Sequence, residues 1–534
     1  MASPNQSSDG RIVSFIDIGT NSVRLLLVRI NSNQSYATIT QQKEVVRLGE
    51  GEFIDQYLQP EAMNRAVLVC RKFVELSQSY GAKEIIAIAT SATREAKNQA
   101  EFLRHLRREG QLDVRVVSSK EEARLVYVGM SSGVHLGNQQ ALFMDIGGGS
   151  TEVIAGDQHQ HHYLDALKLG AIRLTSIFFL PNETEPVASE RYALLQRYVR
   201  NASVRAVQQL KKHKLELAFG SSGTIENLAD IAARAFHDRP RKRDDVLTAA
   251  ELKRVVEILC ALPLEERRQV PGINPERADI IISGAAILDT LLEELGLSRI
   301  HIVSERGVRE GLLMDYLSRS EHAHLVQGMS VRERSVLQLA RACNFDEPHA
   351  RNVARLALEM FDSAREAGLH SLDECDRELL EYTALLHDVG AFISYSNHHV
   401  HTYYLIRNAD LLGFDQTEIA VMAAAAFFHR MGLPNEKHAE FAELDKRLKK
   451  SVRVMSMLLR LAESLDRSHS GIITHARLRA EHKNNVVLEI QASQDCQLEL
   501  WGVQDREKAV EKVLGRKMKL EVNGSDLTAL PAAP

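Results

Sequence analysis

"FMDIGGGSTEV" (143–153) is the stretch on which the fold turns. An apolar run ends in Asp145, three glycines follow, and Ser-Thr-Glu comes next. Glycine in ordered backbone costs about 0.5–1 kcal/mol relative to alanine. Three in a row after a buried strand therefore mark backbone that must come close to something. An apolar β-rich run, a small-residue turn and a second apolar run read as strand, turn, strand. The same figure stands earlier in the chain. "FIDIGTNSVRLLLV" begins at Phe15 and "FMDIGGGSTEVIAG" at Phe143, so that Asp17, Gly19 and Ser22 match Asp145, Gly147 and Ser150 at a constant offset. One copy is equally a plain tight hairpin. Two copies predict two similar α/β lobes facing one cleft, with turns whose N–H and hydroxyl groups suit phosphate oxygens.

The stretches around the repeat agree. "AIATSATREAKN" (87–98), "RVVSSKEEARLVYVGM" (115–130), "ELAFGSSGTIENLADI" (216–231) and "IHIVSERGVREGLLMDYL" (300–317) each run from a strand through a small polar turn into a helix. Strands alternating with helices mean α/β lobes. Ser119, with Glu122 three residues on, predicts a capping box at the start of one of these helices.

A chain of 534 residues exceeds one hydrophobic core, which predicts about three or four domains. With 44% hydrophobic and 26% charged residues the composition is that of an ordinary globular protein. A net charge of −5 excludes a global field for polyanions, so any anion must be held locally. Five scattered cysteines without a C-x-x-C pair exclude a thiolate zinc cluster and a disulfide framework, and fit a reducing compartment. No apolar run is long enough to span a bilayer. The expectation is a cytoplasmic protein with no nucleic-acid partner, peripheral membrane association remaining open. Residues 1–10 and 527–534 read as disordered.

Taken together, D-I-G-T-N-S, A-T-S-A-T-R, K-E-E-A-R-L, D-I-G-G-G-S-T-E, G-S-S-G-T-I and S-E-R-G-V-R-E-G resemble the exopolyphosphatase / guanosine pentaphosphate phosphatase family over residues 11–320. The resemblance implies two lobes of the actin, sugar-kinase and heat-shock-chaperone superfold, and hydrolysis of a terminal phosphoanhydride. It puts the water-activating base on Glu122, with Glu121 as the fallback; on sequence alone both are equally dipole-complementing helix charges. It implies Mg²⁺ on Asp145, Glu152 and Asp17, with K⁺ as a further candidate. The terminal phosphate falls to Gly147, Gly148, Gly149, Ser150 and Thr151, faced by Thr20, Asn21 and Ser22, with Arg94 as a fork donor and Ser222 at a position that kinase relatives use for nucleotide. The resemblance also implies a homodimer. Basic runs at 239–243 and 445–453 read mainly as solvated faces.

From about residue 325 the pattern turns helical. His349, Val353, Leu356 and Met360 share one face of 348–362, His387-Asp388 closes the apolar helix in 379–394, and Met455, Leu459, Ala462 and Asp466 share a face of 454–469. The order H…HD…D resembles an HD-type metal phosphohydrolase domain, with His349, His387, Asp388 and Asp466 as candidate ligands of a second metal and His401 and His429 as an extension. "NHHVH" (397–401) reads as a solvated histidine cluster. Residues 476–525 return to strands, with a hairpin turn at Asn484-Asn485. The expected organisation is lobe I over 11–134, lobe II over 135–320, an all-α HD-type domain over 325–474 and a small α+β domain over 475–526.

Exopolyphosphatase is the leading reading. The alternatives are removal of the 5′-phosphate of guanosine pentaphosphate, a nucleotide-binding regulator or kinase, and an HD phosphohydrolase whose N-terminal lobes only sense phosphate.

Overall fold

The computed structural model describes residues 10–523 except 34, 182, 320–322, 324–327 and 483. Of the ends expected to be disordered, 1–9 and 527–534 lie outside the described residues. The chain divides into two compact units, 1–331 and 332–534. Among the described residues no helix is long and apolar enough to cross a membrane.

The first unit holds two sheets. One has strands β1 (Arg11–Ile18), β2 (Ser22–Ile30), β3 (Tyr36–Val45), β4 (Glu84–Ala89) and β5 (Arg115–Val116) in the order β3-β2-β1-β4-β5. The other has β6 (Ala141–Ile146), β7 (Thr151–Gly156), β8 (His161–Leu167), β9 (Leu217–Ser221), β10 (Val246–Thr248) and β11 (Arg299–Ile302) in the order β10-β11-β9-β6-β7-β8. Each lobe pairs its first two strands as an antiparallel hairpin and lays its fourth parallel to its first. The order is thus the same in both, with β10 added as an antiparallel edge. The sequence repeat is a repeat of topology, and the two-lobed superfold follows from it. The first strands are apolar on both faces, as strands covered on both sides must be: Phe15, Ile16 and Ile18 in β1 and Leu142, Phe143 and Met144 in β6 are buried. The hairpin registers set Asp17 opposite Arg24 and Asp145 opposite Glu152.

Two local differences from the sequence reading shape the site. The helix Ser119–Ser131 is capped by Ser118, whose hydroxyl accepts from the Glu121 N–H at 3.2 Å, not by Ser119. The shift moves Glu121 to the capping position and frees Glu122 from it. The helix Val308–Ser318, placed by sequence in lobe II, packs on lobe I. Its Leu312 and Leu313 join Val13, Phe15 and Leu26 in one cluster. It crosses the Ser119–Ser131 helix closely through two glycines. A β-carbon on Gly129 would stand 2.2 Å from the Gly307 carbonyl oxygen, and one on Gly311 2.1 Å from that of Leu125.

The second unit opens with helices, among them Glu347–Glu366, Glu374–Leu386, His398–Asn408, Gln416–Phe427 and Lys446–Ser464. A three-stranded sheet follows: β12 (Ile473–Glu481) and β13 (Asn485–Ala492) form the expected hairpin, and β14 (Lys517–Asn523) lies parallel to β13 after two short helices.

Candidate active site

The two hairpin turns are built alike. Gly19 N donates to the Ser22 carbonyl at 3.0 Å and Gly147 N to the Ser150 carbonyl at 2.9 Å. They also meet. A β-carbon on Gly148 would stand 3.0 Å from Thr20 Cγ2, and one on Gly149 2.7 Å from both Phe53 and Ser91 Oγ. Behind them, a β-carbon on Gly170 would stand 2.3 Å from the Gly148 carbonyl oxygen. Gly148 and Gly149 thus have a reason inside the protein: they let the second lobe's turn pass against the first lobe.

The predicted binding residues separate on this geometry. Thr20, Asn21, Ser22 and Ser150 are buried at the turns. The Asn21 side chain is the telling one, because neither its Oδ1 nor its Nδ2 has a hydrogen-bond partner. A buried amide with no partner costs about 1–3 kcal/mol per unmet group, so a ligand in the cleft would relieve it. The Thr151 hydroxyl donates to the Leu169 carbonyl at 2.7 Å inside lobe II, so its proton is committed there. Ser222 sits at φ 90° at the head of the helix Ser222–His237 and donates to the Ile146 carbonyl at 2.9 Å. Its hydroxyl braces the end of β6.

Glu122 lies buried on the cleft side of its helix. Glu121, one residue back and about 100° round the helix, forms an ion pair with Arg124 at 2.8 Å. Burial pushes the Glu122 carboxyl up to about 7; Arg94 pulls it down, and Asp17 and Asp145 push it up again. Arg94 is held against Glu122 through one guanidinium nitrogen. Its Nη1 donates to Glu122 Oε2 at 2.7 Å and to the Val117 carbonyl at 3.0 Å. Burial raises Asp17 and Asp145 to about 6 each, and raises Glu152 with Glu122 and Asp145 adding to the effect. Glu152 Oε1 is buried with no hydrogen-bond partner. Buried Asp17, Glu122 and Glu152 with part-buried Asp145, among which Asp17, Asp145 and Glu122 each raise a neighbour's pKa and Glu152 keeps an orphaned oxygen, are the donor set a hard divalent cation satisfies, so these residues fit Mg²⁺.

Beside the carboxylates stand cations that the sequence reading missed. Arg24 pairs with Lys43 across β2 and β3. Lys43 is pushed down to about 8 by burial and then by Arg24 and Arg277, and Arg277 down to about 10 by burial and then by Arg24. Arg277 reaches in from a 3-10 turn at Pro275–Arg277, and its guanidinium occupies the space a β-carbon on Gly223 would need. Lys43 and Arg277, each depressed by burial and by Arg24, form with Arg24 a cationic group that suits an anion, while nearby carboxylates hold Arg24 itself up. One signal was available: Arg24 holds in the first hairpin the place that Glu152 holds in the second.

In the second unit His349, His387 and Asp388 come together, and Asp388 also meets His398 and His429. Asp466 is not in either group; it binds His349 Nδ1 at 2.7 Å from behind. His398, buried, takes the position expected of His401, and it lies in the stretch read as a solvated cluster.

Residues 27–320 match the model of the Ppx/GppA phosphatase family, and residues 331–507 that of Ppx/GppA phosphatase domain III. Among solved structures, an exopolyphosphatase from Cytophaga hutchinsonii is 25% identical, with a TM-score of 0.54 over 58% of this chain and 98% of that one. An exopolyphosphatase-like protein is also 25% identical, with a TM-score of 0.52 over 58% and 98%. A Ppx/GppA family member from Aquifex aeolicus is 26% identical, with a TM-score of 0.48 over 59% and 99%.

Proposed function

The chain belongs to the Ppx/GppA phosphatase family, and from that premise we propose that it is an exopolyphosphatase working in the cleft between its two lobes. The observation that carries the reading is Glu122, a buried carboxylate raised to about 7, set among Asp17, Asp145 and Glu152. A base with a pKa near neutrality holds a useful fraction of carboxylate at working pH while still accepting a proton readily. Glu122 takes the proton from a water that attacks the terminal phosphorus. The bridging P–O bond breaks, orthophosphate forms, and the shortened chain leaves as an oxyanion. Asp145, Glu152 and Asp17 would hold Mg²⁺, which when bound neutralises charge on the phosphate oxygens. Asn21 and the backbone of the two turns orient the end group. Arg24, Lys43 and Arg277 receive the phosphates next in line. Arg94 holds the Glu122 carboxylate in place through its hydrogen bond. We place the enzyme in the cytoplasm as a homodimer, with K⁺ a further candidate cofactor.

The test is phosphate release from long-chain polyphosphate with Mg²⁺. Wild type releases it, Glu122→Gln loses at least about 10²-fold, and Glu121→Gln stays within about twofold. Release from guanosine pentaphosphate but not from polyphosphate by the wild type would move the substrate. Full activity in Glu122→Gln would sink the mechanism.

A further inference from the structure

The carbonyls of the second lobe's glycine turn are all held from one side. The Gly147 carbonyl accepts from the Ala171 N–H at 3.0 Å, and the Gly148 carbonyl from the Ile172 and Arg173 N–H groups at 2.9 and 3.0 Å. These donors open the helix Ala171–Phe178, and the first N–H groups of a helix have no partner within it. The Gly149 carbonyl takes its hydrogen bond from a side chain instead: Arg173 Nε donates to it at 2.7 Å. A trans peptide points its N–H away from its carbonyl, so anchoring these three carbonyls turns the N–H groups of Gly148, Gly149 and Ser150 the other way. Among the described residues none of those three N–H groups has a hydrogen-bond partner. Successive N–H groups aimed out of a turn form a cradle for an anion.

The anchors of Gly147 and Gly148 are backbone groups fixed by the helix. The anchor of Gly149 is a long side chain, and it is tied to the other lobe. Arg173 Nη2 donates to Glu95 Oε1 at 2.7 Å, and the guanidinium lies 4.0 Å from the centre of the Phe53 ring. Glu95 ends the short helix Ser91–Glu95 of the first lobe. The Ser91 hydroxyl, 2.7 Å from where a β-carbon on Gly149 would stand, donates to the same Glu95 oxygen at 3.3 Å. Arg173 is buried, with one nitrogen of its fork on the turn and another on the facing lobe. The rigid planar fork of a guanidinium serves two such acceptors at once.

We propose that Arg173 is a positioning residue for the terminal phosphate, setting the Gly149–Ser150 peptide through the Gly149 carbonyl and making that setting depend on Glu95 across the cleft. The inference rests on the exopolyphosphatase reading for its substrate and adds the condition under which the turn is competent. With the lobes together, Glu95 fixes the guanidinium, the guanidinium fixes the carbonyl, and the Ser150 N–H faces the phosphate. With the lobes apart, Arg173 loses Glu95 and Phe53, and the peptide is free to turn. The turn meets only the end group, while Arg24, Lys43 and Arg277 hold the phosphates behind it. A misplaced turn therefore lowers kcat and leaves KM.

The test is a double-mutant cycle on the full chain: Arg173→Met, Glu95→Ala and the two together. It reads kcat and KM for long-chain polyphosphate and the calorimetric affinity for orthophosphate. Arg173→Met is expected to lower kcat by about 10²-fold with KM within about threefold, and to weaken orthophosphate by about tenfold or more. Glu95→Ala should lower kcat by at least about tenfold, and the double variant should lose no more than Arg173→Met, because the two side chains act as one unit. Lys168→Met is the control. Lys168 Nζ also meets Glu95, at 3.1 Å, but its side chain is 77% exposed and donates to no carbonyl of the turn; its kcat stays within about twofold. Wild-type kcat in Arg173→Met, a loss that falls on KM instead, or losses that multiply in the double variant overturn the proposal. Circular dichroism checks folding. If Arg173→Met misfolds, Glu95→Ala decides, and wild-type kcat with unchanged orthophosphate affinity in that variant overturns the proposal. A wild type that releases no phosphate from polyphosphate sinks the exopolyphosphatase reading instead, and the orthophosphate titrations then decide whether Arg173 sets the turn. A wild type that neither releases nor binds phosphate overturns both.

Discussion

Arg94 and Glu122 make the sharpest prediction, because one hydrogen bond sets the working pH of the proposed base. The perturbation is Arg94→Met, which keeps an unbranched stem and removes the guanidinium and its charge. Arg94 Nη1 lies 2.7 Å from Glu122 Oε2, and the two side chains are 17% and 7% exposed. Unit charges about 4 Å apart attract by about 4 kcal/mol at an effective dielectric of about 20. One pKa unit is about 1.36 kcal/mol, so the ceiling is about three units. Water entering the space left by the guanidinium brings the expected shift to about one to two units. The sign follows from the charge: removing a cation that favours the carboxylate raises the Glu122 pKa from about 7. The acidic limb of kcat/KM against pH, which reports the free enzyme, moves to higher pH. Activity at pH 7 falls roughly 5- to 50-fold and recovers about half or more of its value by pH 9. Glu122 interacts with Asp17 and Asp145, so the midpoint belongs to the group; the direction of its shift does not change. An unmoved midpoint, or an equal loss at every pH, would refute the claim that Arg94 tunes Glu122.

Three more expectations concern the cleft. Folded-state pKa values of about 6 for Asp17 and Asp145 and about 7 for Glu122 lie above the ordinary carboxylate range. Their contribution to stability is therefore full at low pH and lost as pH climbs through 6–7. In EDTA the Tm of the full chain should fall between pH 6 and pH 8, Mg²⁺ should restore most of it at pH 8, and Glu152→Gln should flatten the fall; a slope identical in Glu152→Gln and wild type counts against the carboxylate origin. Thr151→Val leaves the Leu169 carbonyl without its donor and should cost about 1–3 kcal/mol in urea unfolding with KM for polyphosphate within about twofold, whereas a large KM change would return Thr151 to the phosphate. Gly149→Ala drives a β-carbon against Phe53 and Ser91 of the first lobe and should cut kcat at least about tenfold with the circular dichroism spectrum kept; a fully active variant would show that the two turns need not meet.

Much of this was legible because the decisive features are local. Strand alternation has a period of two, so the matched aspartates had to fall at matched places in matched hairpins, and Asp17 and Asp145 did. The glycines were legible as a close approach, but what approaches them is Thr20, Phe53 and Ser91, set by how the lobes meet and not by neighbours in sequence. The choice between Glu121 and Glu122 hung on a cap one residue earlier than the capping pattern suggested, since one residue on a helix turns a side chain by about 100°. Arg277 and Lys43 carried no local mark: one sits in a 3-10 turn far along the chain, the other in a strand of mostly polar residues. His398 and His401 are three residues apart in one helix, and only the packing of that helix decides which ring is buried beside His429.

The duplicated hairpins also show how a symmetric frame can give an asymmetric site. Opposite Asp17 the first lobe places Arg24; opposite Asp145 the second places Glu152. A carboxylate at both positions would leave nothing in the hairpins to attract a polyanion, and an arginine at both would leave no donor set for a divalent cation. With one of each, the cleft becomes bipolar. Asp145, Glu152 and Glu122 crowd at one pole, where Asp145 raises the pKa of both others and Glu122 that of Glu152. Arg24, Lys43 and Arg277 crowd at the other, where Arg24 depresses both of its neighbours. Each pole gathers like charge that a partner of opposite charge satisfies: a divalent cation at the first, a string of phosphates at the second. A phosphoanhydride chain with its end group at the carboxylate pole and its next phosphates at the cationic pole answers both at once, whereas a lone orthophosphate reaches only one. That asymmetry favours a chain over its product, which is what an enzyme that removes end phosphates requires.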